Sequence, residues 1–187
     1  MSAEQSVRSY GKEWSGSLSQ TERNSVYEYT TEKECNSKGE KVYENINNVL
    51  RGITREFAPG NLEHARNIHK ALERASIPED CVVYRGASDK ALGACRFLPD
   101  SMLVGRTISE DGFMSTSLDR TSAFSGDILL EIEVPKGAAG AYVGNVSAAG
   151  HYESEVLFDK DQVMIIKSVV RDEHNRRIIR VQMRGRG

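Results

Sequence analysis

The hydrophobic period of this chain changes once, at Pro78, and that change limits its fold more than any other feature. Before Pro78, Val42, Ile46, Val49, Leu50 and Ile53 recur at three- and four-residue steps, and Leu62, Ala65, Ile68, His69 and Leu72 do so again. That spacing places each set on one side of a 3.6-residue helical turn, so two amphipathic helices are expected. Gly52 weakens the last turn of the first, Pro59-Gly60 bars any continuation, Asn61 is the expected N-cap of the second, and Pro78 closes it. After Pro78 the runs are short and β-prone. Cys81-Val82-Val83-Tyr84-Arg85 ends at Gly86, and Ile128, Leu130, Ile132 and Val134 alternate on one face of a strand. Further strands are expected around Thr107-Ile108, over 112–117, and over 153–158, 162–170 and 178–183, the last two paired across the polar turn 171–175. Residues 87–105 read as loop or short helix, and 137–150, rich in alanine and glycine, as a flexible stretch. Helices followed by a largely antiparallel sheet system define an α+β class.

Residues 1–40 are polar with no strong period; one or two short helices or a partly loose segment fit them equally, ahead of a domain over 41–187. At 187 residues the chain fits a single domain, burying roughly 70% of its unfolded surface, enough for a core without disulfides or metal. With 25 basic and 27 acidic side chains, its net charge of -2 gives no general attraction to nucleic acid or to an anionic membrane. Six arginines crowd the run 171–187, but no aromatic side chain interleaves with them, so a nucleic-acid partner is not expected. The three cysteines have no C-x-x-C spacing and none of the four histidines lies near them. No metal site is therefore expected, and the thiols read as reduced. No apolar run approaches the ~20 residues a membrane helix needs, and no signal peptide is visible, so if the protein acts outside its own cell another component must deliver it.

Three short motifs carry chemistry. In Glu153-Ser154-Glu155 at a strand start, period-2 geometry sets both carboxylates on one face, roughly 6.5–7 Å apart. Two buried neighbouring acids are costly unless a site uses them. Alone, the triplet reads equally as the solvated face of an edge strand, Tyr84-Arg85-Gly86 as a strand-end ion pair, and Ser115-Thr116-Ser117 as any polar strand face. Together they come in order: Arg-Gly ending a strand, S-T-S about thirty residues later, then E-S-E opening another.

That constellation resembles the R-S-E mono-ADP-ribosyltransferases, in particular the arginine-directed exoenzyme family of bacterial toxins, which includes the enzymatic components of iota-type and vegetative insecticidal binary toxins. The likeness extends over roughly residues 26–170. It includes Tyr43-Glu44-Asn45-Ile46-Asn47-Asn48-Val49-Leu50-Arg51-Gly52 as the helix ahead of the catalytic sheet, and 112–117, 128–137 and 152–159 as core strands. The resemblance implies two roughly perpendicular, mainly antiparallel sheets with NAD, the donor substrate, in the cleft between them. It gives Glu155 the stabilisation of the ribosyl cation, Glu153 the orientation or deprotonation of an acceptor guanidinium, and Ser115 a hydrogen bond to the catalytic carboxylate. Arg85 would bind phosphate and Gly86 would admit the nicotinamide amide. Tyr43 and Asn47, one turn apart, would lie over the cleft, Phe124 would stack on nicotinamide, and Arg120 would reach a phosphate. An arginine expected late in the segment 118–127 is replaced by Gly126 and Asp127. Residues 138–152, with Tyr142 and Tyr152, are the expected target-recognition segment. Glutamate rather than glutamine at 153 implies arginine as acceptor, on actin or another cytosolic protein of a target cell, with a delivery component or an immunity protein as further partners. Two other readings share these residues: an NAD glycohydrolase, with water in place of arginine, and a binding module that has lost the chemistry. Intact Arg85, Ser115, Glu153 and Glu155 argue against the second.

Overall fold

The computed structural model describes residues 1–123 and 125–185. The polar N-terminal region is not loose. Helix α1 spans Ala3–Ser17 and α2 spans Gln20–Tyr29. Each starts in a capping box, Ser2 with Gln5 and Ser19 with Glu22, in which side chain and backbone satisfy each other's free donors. Helix α3 is Val42–Leu50 and α4 is Asn61–Glu73. Gly52, left-handed at φ 74°, ends the turn after α3. Asn61 is the first helical residue of α4 rather than its cap, which is Gly60 at φ 84°; its side chain is buried and donates to Oδ1 of Asn45 at 2.9 Å.

Strand β1 is Cys81–Ala87. After 3₁₀ turns over Asp89–Phe97 and the short helix α5, Asp100–Leu103, come β2 (Thr107–Glu110), β3 (Met114–Ser117), β4 (Ile128–Val134), β5 (Gly140–Tyr142), β6 (Glu155–Phe158), β7 (Gln162–Arg171) and β8 (Arg177–Met183). The eight strands hydrogen-bond in the order β2-β7-β8-β4-β1-β3-β6-β5. Every pair is antiparallel except β4–β8. Where β1 meets β3 the register contains the single pair Tyr84↔Ser117. The two expected sheets are thus two portions, β2-β7-β8-β4-β1 and β3-β6-β5, of one sheet joined at that pair. β7 and β8 pair as expected from the sequence. β5 corrects the expectation of a flexible stretch: Gly140, Ala141 and Tyr142 are all buried, and small residues let this strand lie under α1. A Cβ at Gly11 of α1 would come within 2.5 Å of the Tyr142 carbonyl oxygen.

Two apolar clusters hold the fold. One, containing Val83, Leu130, Ile132, Val156, Phe158, Ile166, Ile179 and Val7, fills one side of the sheet. The other joins Trp14, Val26, Tyr29, Ile46, Ile68 and Leu72 of the helices to Ala141 and Leu157 of the sheet and to Phe113 and Val143, which flank β3 and β5. Strand β6 feeds both clusters, which is why its four residues are all buried. Among the described residues, no helix is long and apolar enough to cross a membrane.

Candidate active site

β1 ends at the join between the two sheet portions, and there Arg85 turns its guanidinium inward, donating from Nη1 to the Ser115 carbonyl oxygen at 2.8 Å. Across β3, the pair Ser117↔Glu155 sets the start of β6 beside the same hollow. Arg85, Gly86, Ser115, Ser117, Glu153 and Glu155 line a cavity of about 280 Å³. A second hollow of about 410 Å³ is lined by Tyr29, Tyr43, Asn47, Arg51 and again Arg85 and Ser115. The two meet at Arg85 and Ser115, so strand ends and helix α3 line adjoining parts of one cleft.

Glu153 and Glu155 share this cleft, though not through the pleat of a strand. Glu153 lies in a turn before β6, and Ser154 between them is left-handed at φ 49°. For a residue with a side chain such a conformation costs of order 1 kcal/mol. It is held by the hydrogen bonds Leu118 N to Ser154 O (3.0 Å), Ser154 N to His151 O (3.2 Å) and Ser117 Oγ to Glu153 O (2.9 Å). Glu153 is exposed and Glu155 buried. Burial pushes the Glu155 carboxyl up to about 7; the Ser115 hydroxyl hydrogen-bonded to it and the Arg85 charge pull the other way, and the Glu153 charge adds to the rise.

Glu110, at the end of β2, stands between two guanidinium groups. Arg51 reaches its carboxylate with two hydrogen bonds, Nη2 at 2.6 Å and Nε at 2.9 Å, and Arg85 Nη2 lies 3.4 Å away. Burial raises the Glu110 carboxyl, but the Arg51 hydrogen bond and the charges of both arginines outweigh it, and the group sits below its ordinary range. Burial pulls the Arg85 guanidinium down, opposed by the Glu110 charge; an arginine stays protonated through such a shift. Neither Arg51 nor Glu110 was assigned a role from the sequence. Arg51 had a legible signal, since Tyr43, Asn47 and Arg51 step by four along one helix face. Glu110 had none, because only β2–β7 pairing and the turn to β3 bring it there.

Other expected residues fall differently. Asn47 lines the cleft, but its amide is occupied: Oδ1 accepts from Phe113 N at 3.0 Å and Nδ2 donates to the Tyr29 hydroxyl at 2.9 Å. Tyr29, fully buried with its hydroxyl pushed up to about 12 by desolvation, is a cleft residue drawn from the N-terminal region. Gly86 lines the hollow, yet a Cβ there would collide with the carbonyl oxygens of Ser125 and Ala123, so the chain itself demands glycine before any ligand does. Arg120 lines neither hollow and pairs with Glu131 at 3.3 Å. Phe124 lies outside the described residues. Tyr142 is 1% exposed and offers no surface to a partner, whereas Tyr152, beside Glu153, is 93% exposed. Four of the C-terminal arginines form ion pairs within the chain: Arg171 and Arg177 with Asp100, Arg176 with Asp172, and Arg180 with Glu131 and Glu133.

A sequence model described as ADP-ribosyltransferase exoenzyme matches residues 7–184. The chain is 30% identical to the Photox toxin of Photorhabdus laumondii over 117 residues, which is 62% of this chain and 28% of that protein. It therefore spans less than a third of the length of this curated relative. Among solved structures, the fold is similar to Plx2a, an ADP-ribosyltransferase toxin from Paenibacillus larvae, with a TM-score of 0.77 and 22% identity, covering 99% of this chain and 95% of that one. It is also similar to C3stau2 from S. aureus, solved with NAD, with a TM-score of 0.71 and 20% identity over 95% and 94% of the two chains. With the match running through the helices, the cleft and all eight strands, the chain belongs to the ADP-ribosyltransferase exoenzyme family.

Proposed function

We propose that this protein cleaves the nicotinamide–ribose bond of NAD and transfers ADP-ribose to an arginine of a target protein. The observation that carries this reading is that Arg85, Ser115, Glu153 and Glu155, remote in sequence, line one hollow. Breaking the nicotinamide–ribose bond develops positive charge on the ribose, as in glycoside cleavage. A buried carboxylate held near that carbon stabilises the charge far more than it would in water, and Glu155, oriented by the Ser115 hydroxyl, fits this role. Arg85 and Arg51, both held by Glu110, line the α3 side of the cleft, and the N–H donors they have left suit pyrophosphate oxygens. Arg51 thereby supplies the second cationic contact for which the segment 118–127 has no late arginine. Glu153, exposed at the mouth, suits the acceptor: a guanidinium loses its proton only as the new C–N bond forms, and a carboxylate at hydrogen-bond reach takes it. Glutamate at this position favours arginine as acceptor, and exposed Tyr152 offers an aromatic contact to the target protein. The similarity to toxins supports a target in the cytosol of another cell, reached with a delivery component.

The test is incubation with NAD and a cell lysate. Labelled protein bands carrying ADP-ribose on arginine are expected, whereas nicotinamide release without labelled protein would make the chain an NAD glycohydrolase. Glu155→Ala should lower NAD cleavage by about two to three orders of magnitude. Glu153→Ala should lower arginine transfer about a hundredfold, with a much smaller effect on hydrolysis. Equal losses of both activities in Glu153→Ala would show that its assigned role is wrong.

A further inference from the structure

The turn carrying Glu153 is gripped from outside the cleft by a residue at the start of the chain. Arg8 of α1 donates from Nη2 to the Ser154 hydroxyl at 3.0 Å and from Nη1 to the Tyr142 hydroxyl at 3.0 Å. That same hydroxyl lies 2.6 Å from Nδ1 of His151, whose ring stacks on Tyr142 at 5.7 Å. The Arg8 guanidinium also sits 4.9 Å from the centre of the Tyr142 ring, and Glu4 orients it through Nε and Nη2 at 3.2 and 3.0 Å. Both ends of the turn 151–154 therefore converge on one guanidinium, directly at Ser154 and through Tyr142 at His151.

The geometry points to Arg8 as a positioning residue that fixes Glu153, and through it the acceptor side of the reaction, from outside the cleft. Resting on the arginine-transfer reading above, it adds a residue that touches neither NAD nor acceptor. The two glutamates are anchored unequally. Glu155 lies in β6, paired with Ser117, and its carbonyl accepts from Val143 N at 3.0 Å. Glu153 is outside any strand and exposed, and its direction depends on how the left-handed Ser154 beside it is held. An isolated surface ion pair contributes little, but a planar fork holding a hydroxyl, an aromatic hydroxyl and a ring face at once is geometrically demanding. Freeing the turn should misplace Glu153 while leaving Glu155 in its strand, and an ångström of misplacement at a reacting group costs up to about a hundredfold.

The experiment measures two rates with the whole chain: nicotinamide release from NAD alone, and ADP-ribosylation of agmatine, a small guanidine acceptor. Arg8→Ala and Ser154→Ala should each lower the ratio of transfer to hydrolysis by about tenfold, chiefly by raising KM for agmatine. The double variant should be no worse than the weaker single, because both remove one coupling. A wild-type ratio in both singles, a proportional loss of both rates, or additive losses in the double variant overturns the proposal. Should Arg8→Ala fail to fold, Ser154→Ala, which leaves α1 intact, decides by its ratio alone. Wild-type protein that releases nicotinamide but modifies neither agmatine nor protein arginine sinks the arginine reading beneath; wild-type transfer with an unchanged Ser154→Ala ratio sinks the role of Arg8 alone.

Discussion

Glu155 is buried as an acid in a place where water cannot share its charge, and its carboxyl titrates near 7 instead of near 4.5. Between those two values the folded chain binds more protons than the unfolded one, so stability falls as pH rises across that window and the full penalty applies above it. A shift of this size corresponds to roughly 3 kcal/mol. Glu155→Gln, which carries no charge to desolvate, should therefore melt several degrees above the wild-type protein at pH 8, with the gap closing toward pH 4.5; thermal scans across this range measure it. The same titration governs chemistry. Only the carboxylate stabilises a ribosyl cation, so kcat/KM for NAD should climb with pH through about 7. A flat profile from pH 5.5 to 8 would remove Glu155 from that role. An active-site residue that weakens the fold while serving the reaction is the expected trade between stability and activity.

At the scale of elements, helix α1 shows how a polar stretch becomes structural. Its apolar signal is thin, with Val7, Gly11, Trp14 and the polar Ser15 as the buried positions, and periodicity alone did not reveal it. The two capping boxes, Ser2/Gln5 and Ser19/Glu22, were present in the sequence as start signals. Strand β5 escaped for a related reason: alanine and glycine give no β-branched pattern, and the buried Gly140-Ala141-Tyr142 exists as a strand because β6 pairs with it and α1 covers it. Gly11 is the point of contact, and its neighbour Gly16 in the same helix faces open space. The two glycines should therefore respond oppositely to the same substitution. Gly16→Ala should stabilise by up to about 1 kcal/mol, because alanine loses less backbone entropy in a helix. Gly11→Ala should destabilise by about 1–3 kcal/mol in spite of the same gain, because the methyl group meets the Tyr142 backbone oxygen and Cβ at 2.5 and 2.7 Å. Urea unfolding of the two variants side by side measures both signs.

The whole molecule is tied together across what the sequence suggested was a segment and a domain. Trp14, the single tryptophan, is buried in the helical cluster and donates from Nε1 to the Ala71 carbonyl oxygen at 2.9 Å. Its cluster extends to Leu157 of the sheet and to Phe113 and Val143 beside it. Tryptophan fluorescence and far-ultraviolet circular dichroism should therefore report one coincident thermal transition; an earlier fluorescence change would mark the first two helices as a separable appendage. Local period, turn chemistry and residue type are enough to set the order of helices before strands, the antiparallel β7–β8 hairpin and the three motifs Arg85-Gly86, Ser115-Thr116-Ser117 and Glu153-Ser154-Glu155. Tertiary structure decided which side chains meet. The left-handed Ser154 rather than strand pleat brings Glu153 to the cleft, Arg51 and Glu110 enter from α3 and β2, Tyr142 turns inward, and Arg8 reaches Ser154 across the chain. Such contacts join residues far apart in sequence, and no local preference encodes them: they arise from how helices and sheet bury their shared apolar faces, and only that packing fixes where each polar group ends.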